Sequence, residues 1–130
     1  MTAPALPPYA RLLGLTAAPQ ADGPPLLVMP FADPVLGRPG FLHGGAIAGL
    51  LEMAAIAALR HALEDAGDTR IKPVNVTMDF LRGGRDHPTC AAGSVVRIGG
   101  RVANVAATAW QEDRARPIAA ARITCLLVRA

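Results

Sequence analysis

The chain is 130 residues long, 52% hydrophobic and 18% charged, with a formal net charge of +3; this is one globular domain with a substantial core, not a disordered chain. The positive charge comes almost entirely from scattered arginines, and without a basic cluster or interleaved aromatics nucleic acid is not an expected partner. Cys90 and Cys125 lack metal-ligand spacing, and the proline-rich start has neither the basic end nor the apolar core of a signal peptide, so a cytoplasmic protein with free thiols and no metal is expected.

A single domain over 1–130 is expected, with residues 1–20 as an N-terminal extension that is loose or carries a short helix. Tyr9–Leu15 suits such a helix, although Gly14 weakens it. Pro24–Pro30 reads as a short strand bounded by prolines, and Phe31–Leu42, with Pro34, Gly37, Pro39 and Gly40, as a loop. A long helix follows from about Gly45 to about Asp65, ended by Gly67. The period then changes. Ile71–Arg82 alternates, with Val74, Val76, Met78 and Phe80 on one face and Asn75, Thr77 and Asp79 on the other. Gly83–Asp86 is a turn, Thr89–Ile98 a strand, Gly99-Gly100 a tight hairpin signal into Arg101–Glu112, and Pro117–Val128 the last strand. One short strand, one long helix and four consecutive antiparallel strands make an α+β domain in which a curved sheet wraps around the helix.

The anomaly lies in that helix. From Gly44 to Leu59 everything is apolar or glycine except Glu52. The run is apolar all round, which predicts a buried central helix. It is also too short, and carries an acid too near its middle, for a membrane span. A carboxylate there is costly without compensation, and its helical neighbours Ala48, Gly49, Ala55 and Ile56 offer none. Apolar surroundings should raise its pKa and suit it to act as a base or nucleophile.

Gly37-Arg-Pro-Gly-Phe-Leu-His43-Gly44-Gly45, with Glu52 nine residues after the histidine, resembles the hotdog-fold acyl-CoA thioesterases of the phenylacetate-pathway (PaaI-like) type. The resemblance spans about residues 20–128, because strand, helix and four strands is that family's element order too. It implies a hotdog fold, hydrolysis of acyl-CoA to acid and coenzyme A with no metal or redox cofactor, and Glu52 activating water or attacking the thioester. The N–H groups of Gly44 and Gly45, unpaired at a positive helix end, suit an oxyanion. His43 is placed to fix the loop or cap the first turn, with general base as the alternative. Asn75 and Thr77 share a polar strand face that could meet substrate. Arg82, Arg85, Arg97 and Arg101 flank two turns and are candidates for the phosphates of coenzyme A.

Seven positions separate Gly45 from Glu52, roughly 10 Å along the axis at ~1.5 Å per residue, so one helix does not easily bring both to one carbonyl. Two antiparallel helices do, and the family builds its sites between subunits. An obligate homodimer is expected, or a dimer of such dimers. The chain departs from the family at two places. Gly37 stands where many relatives carry Asn or Gln, and Pro73 where some carry Ser or Thr. The competing readings are a non-catalytic acyl-CoA-binding protein and a hotdog hydratase or dehydratase; the latter pairs a His with an acid in a different motif that is missing here.

Overall fold

The computed structural model describes residues 6–64 and 68–129; the expected helix stop at Gly67 and the first five residues lie outside them. The elements are α1 (Pro8–Leu12), β1 (Thr16–Ala18), β2 (Leu26–Met29), a 3-10 turn (Asp33–Val35), α2 (Gly44–Ala62), β3 (Arg70–Phe80), β4 (Thr89–Ile98), β5 (Val102–Trp110) and β6 (Ala119–Val128). The six strands form one sheet in the order β1-β2-β4-β5-β6-β3, antiparallel throughout. It wraps around α2 as a hotdog fold.

Two features depart from the linear reading. β1, which no alternation signals, pairs with β2 from Thr16↔Val28 to Ala18↔Leu26. β3 does not neighbour its successor β4. It lies at the far edge, pairing with β6 from Arg70↔Val128 to Phe80↔Ala119. Residues 83–86 therefore belong to a crossover and not to a turn between paired strands. The crossover is steered locally, since Leu81 and Arg82 N–H both donate to the Ile118 carbonyl at the start of β6, at 2.8 and 3.2 Å.

The helix is apolar all round but covered on one side only. Ile47, Leu50, Leu51, Ala54, Ala58 and Leu59 are buried against a concave face that includes Val105, Ala107, Ile123 and Cys125. Small residues bring helix and sheet close. A methyl group added at Gly93 of β4 would stand 2.6 Å from the Ala54 carbonyl oxygen and 2.7 Å from Ala58 Cβ. The opposite stripe, Gly45, Ala48, Glu52 and Ile56, is exposed or half-buried, which corrects the expectation of burial all round. By length and composition α2 is apolar enough to cross a membrane, and half of its most apolar window is buried in this protein.

The sheet has two edges, β1 with three residues and β3 with eleven. A register shift between Pro73 and Asn75 bulges β3 at Val74. Beyond it Val76, Met78 and Phe80 lie opposite the inward Ile123, Ala121 and Ala119. Asn75, Thr77 and Asp79 then take the outer face. Val74, Val76 and Phe80 are 58%, 41% and 57% exposed, so this long edge keeps an apolar surface.

Candidate active site

The chain enters α2 through a small hairpin. Leu36 and Leu42 pair as an isolated bridge, and the Gly37 N–H donates to the Phe41 carbonyl at 3.0 Å. At its tip Arg38-Pro39-Gly40-Phe41 has the sequence of a type II turn. Proline presets the second position, Gly40 takes a φ of +80° at the third, and the Phe41 N–H closes on the Arg38 carbonyl at 3.0 Å. The turn delivers His43, whose N–H donates to the Val35 carbonyl at 2.9 Å.

His43 is the N-cap of α2, and its Nδ1 accepts from the Gly45 N–H at 2.8 Å. The capping role therefore belongs to this imidazole. With Nδ1 the acceptor, the neutral ring carries its proton on Nε2. The same bond engages the Gly45 amide, one of the two amides expected to hold an oxyanion, in the cap. Gly44 N–H has no acceptor among the described residues and is the free donor at the positive end of α2. The Phe80 ring packs beside it, 3.5 Å from where a Gly44 Cβ would sit.

Glu52 lies almost two turns further along the same stripe as Gly45. It is half-buried, and it makes no hydrogen bond or ion pair among the described residues. The sealed apolar setting expected of it is thus corrected, because the sheet covers only the other side of the helix. Across the helix–sheet boundary it acts on Cys125 of β6. Burial, and secondly the Glu52 carboxylate, push that thiol above its usual range.

The other expected residues divide by location. Arg82 and Arg85 stand on the β3–β4 crossover, at the end of the sheet where Gly44 lies; Leu42 N–H donates to the Gly84 carbonyl at 3.0 Å. The Arg85 and Arg38 guanidiniums lie 4.4 and 3.9 Å from the centroid of the Phe41 ring. An open groove of about 280 Å³ there is lined by Arg82, Arg85 and Arg116 together with His87, Gln111 and Glu112. Gln111 braces it, donating to the Arg85 and His87 carbonyls at 2.9 and 3.1 Å, while His87 Nε2 lies 2.7 Å from a Glu112 oxygen. Arg97 and Arg101 flank the β4–β5 hairpin, the length of a ten-residue strand away, roughly 30 Å. Asn75 and Thr77 are exposed on the outer face, 3.5 Å apart at their side-chain oxygens. The single chain therefore brings His43, Gly44, Gly45, Arg82 and Arg85 to one end, and does not bring Asn75, Thr77, Arg97 or Arg101 to them.

Gly37 cannot be read as an open vacancy for an amide side chain. A Cβ there would lie 3.2 Å from His43 Cα, so the hairpin is already tight. The sequence reading missed Phe41, Gln111 and Arg116, and it missed Tyr9 against the helix. Only the last left a trace: Gly49, an unexpected glycine inside a strong helix, marks where the Tyr9 ring rests.

Residues 39–118 match the family model of the thioesterase superfamily. Among solved structures, a protein from Chromobacterium violaceum is 36% identical, over 93% of this chain and 83% of its own, with a TM-score of 0.75. A thioesterase from Pseudomonas aeruginosa, crystallised as a glutamine-to-alanine variant, is 24% identical over 94% of this chain and 86% of its own, with a TM-score of 0.83. A phenylacetic acid degradation-related protein from Ralstonia eutropha is also 24% identical, covering 95% and 92%, with a TM-score of 0.80. The last two speak for the fold alone. No curated protein matches the chain.

Proposed function

This chain belongs to the thioesterase superfamily, whose reaction is thioester hydrolysis, and on that premise we propose that its substrate is an acyl-CoA, hydrolysed by Glu52 at a site shared between two copies. The observation that carries the reading is Glu52 itself, a carboxylate with no partner among the described residues on the uncovered stripe of an otherwise apolar helix. A free amide, that of Gly44, heads the same helix.

In this mechanism the Gly44 N–H and the positive end of α2 polarise the thioester carbonyl and stabilise the oxyanion. His43 holds the turn and keeps Gly45 in register. Glu52 then either attacks the carbonyl carbon, expelling the coenzyme A thiolate to leave a mixed anhydride that water hydrolyses, or takes a proton from a water that attacks that carbon, the C–S bond breaking to release the acid and coenzyme A. The ~12 Å between the Gly44 donor and Glu52 along one helix is bridged by a second copy. The β3 edge, eleven residues long with Val76 and Phe80 exposed, is suited to pair with its own symmetry mate. Two-fold antiparallel pairing would set the helices side by side in opposite directions, each Glu52 towards the partner's Gly44. It would also return the Arg97–Arg101 hairpin of the partner subunit to the end that carries Arg82 and Arg85. Arginines from both copies would then serve the phosphates of coenzyme A, and no metal or redox group takes part.

The test is thiol release from a panel of acyl-CoAs by wild type and Glu52→Gln, with an enzyme-only blank for Cys90 and Cys125. A fall in kcat of about 10² or more in the variant supports the reading. Equal rates remove Glu52 from the chemistry. Binding of acyl-CoA without turnover in wild type would favour the non-catalytic alternative, and water addition to an enoyl-CoA the hydratase.

A further inference from the structure

We infer that the acyl group lies in the cleft between α1, the Pro34–Leu36 segment and the first turn of α2, and that this cleft selects apolar, uncharged acyl chains. The inference rests on the acyl-CoA reading above and names the substrate class. The cleft measures about 390 Å³, larger than the arginine groove and within the range of small-molecule sites, ~300–1,000 Å³. Tyr9, Leu12 and Leu13 line it from the α1 side, Leu36 from the loop, and His43 and Gly45 from the start of α2.

Three observations point to an acyl occupant. First, the capped turn itself, His43 and Gly45, lines the cleft. Gly44 lies between these two lining residues in the chain, so an acyl chain whose carbonyl is held at the Gly44 amide starts within one residue of the cleft. Second, the cleft exposes apolar surface to water: Leu12 is 66% and Tyr9 44% exposed, although both are large and belong to a helix packed on the core. Third, among the described residues no Lys, Arg, Asp or Glu lines it, and the side-chain polar groups that do are the Tyr9 hydroxyl and the His43 imidazole. An acyl group ending in a carboxylate would enter without a cation to pair with. The wall is set closely, since a methyl group at Gly49 would stand 2.7 Å from Tyr9 Cε2 and 2.8 Å from its hydroxyl oxygen. Glycine at this helical position therefore lets the ring lie directly on the α2 backbone, one turn before Glu52.

The test is kcat/KM for straight-chain acyl-CoAs from acetyl to decanoyl, with succinyl-CoA beside butyryl-CoA. In wild type each added methylene should raise kcat/KM by about fourfold until the cleft is full, the equivalent of ~0.8 kcal/mol per buried CH₂. Succinyl-CoA should be at least about tenfold poorer than butyryl-CoA. Leu12→Ala and Leu12→Glu, at a position exposed enough to spare the fold, should cut the octanoyl-to-butyryl ratio by about tenfold, mostly through KM. A flat chain-length series, a preference for succinyl, or an unchanged ratio in both variants overturns the inference while leaving thioester hydrolysis intact. If wild type turns over nothing, the acyl-CoA hydrolase reading fails separately. Calorimetric titration then decides the cleft: octanoyl-CoA binding at least tenfold tighter than coenzyme A in wild type but not in Leu12→Glu supports it, and equal binding overturns it.

Discussion

Replacing Gly93 by alanine tests whether the helix rests where the structure puts it. The new methyl would meet the Ala54 carbonyl oxygen at 2.6 Å, Ala58 Cβ at 2.7 Å and Ala55 Cα at 3.0 Å. Two of these are helix backbone atoms that cannot rotate away, so α2 as a whole must withdraw. Alanine in a strand otherwise stabilises by about 0.5–1 kcal/mol relative to glycine, while overpacking of this kind costs about 1–3 kcal/mol. The net expectation is a loss of about 0.5–2 kcal/mol, read as a lowered melting temperature at fixed protein concentration, at roughly 3–5 °C per kcal/mol for a chain of this size. Because α2 also carries Gly44 and Glu52, the withdrawal should lower kcat by about tenfold or more. Gly100→Ala is the control: it sits in a hairpin where an added methyl meets nothing within 4 Å, and it should be neutral. A Gly93→Ala protein that melts at or above wild type would refute the packing described for α2 on β4.

Three further outcomes are expected. His43→Ala removes the cap on Gly45 and should lower stability by about 0.5–2 kcal/mol in denaturant titrations, whereas His43→Asn, a good N-cap, should recover most of the loss; equal losses in both would mean that the 2.8 Å bond contributes little. Val76→Lys places a charge on the β3 edge, and by analytical ultracentrifugation it should yield monomers that have also lost turnover; an active dimer would sink the proposed interface. Burial and Glu52 keep the Cys125 thiol protonated beyond its usual pKa of 9.0, so a thiol reagent should modify the half-buried Cys90 first. The sign for stability follows: a group whose pKa is raised on folding contributes below its unfolded value and loses that contribution as pH rises, so stability should decline above about pH 9. Glu52→Gln, which removes the second cause, should soften the decline, and a pH-independent melting temperature from 8 to 10 would contradict it.

The long helix, the strands after it and the odd carboxylate were all legible in the chain, because each depends on local periodicity. Val76, Met78 and Phe80 alternate with Thr77 and Asp79 whatever the neighbouring strand is, and the run around Glu52 is apolar in any fold. His43 could be read as a cap from its place before two glycines. Local pattern has no access to which neighbours cover an element. The sequence of α2 is equally apolar on every side, so only the packing shows that the sheet buries the Leu50 side and leaves Glu52 half open. Likewise the choice between two adjacent glycine amides depends on where one imidazole nitrogen comes to rest.

Strand order is the clearest division. Alternation assigns β3 a face but no partner, since β4 and β6 offer similar alternating surfaces. The tertiary structure sends β3 to the edge beside β6, and three consequences follow: a long edge with an apolar surface, two arginine groups at opposite ends of the chain's fold, and an outer position for Asn75 and Thr77. The sequence by itself determined α2, the strands from β2 onward, the fold family and the one residue whose charge its surroundings do not explain. The tertiary structure decided which amide is free and which side of the helix is open. Those depend on contacts between residues far apart in the chain, and such contacts leave no period for a sequence to display.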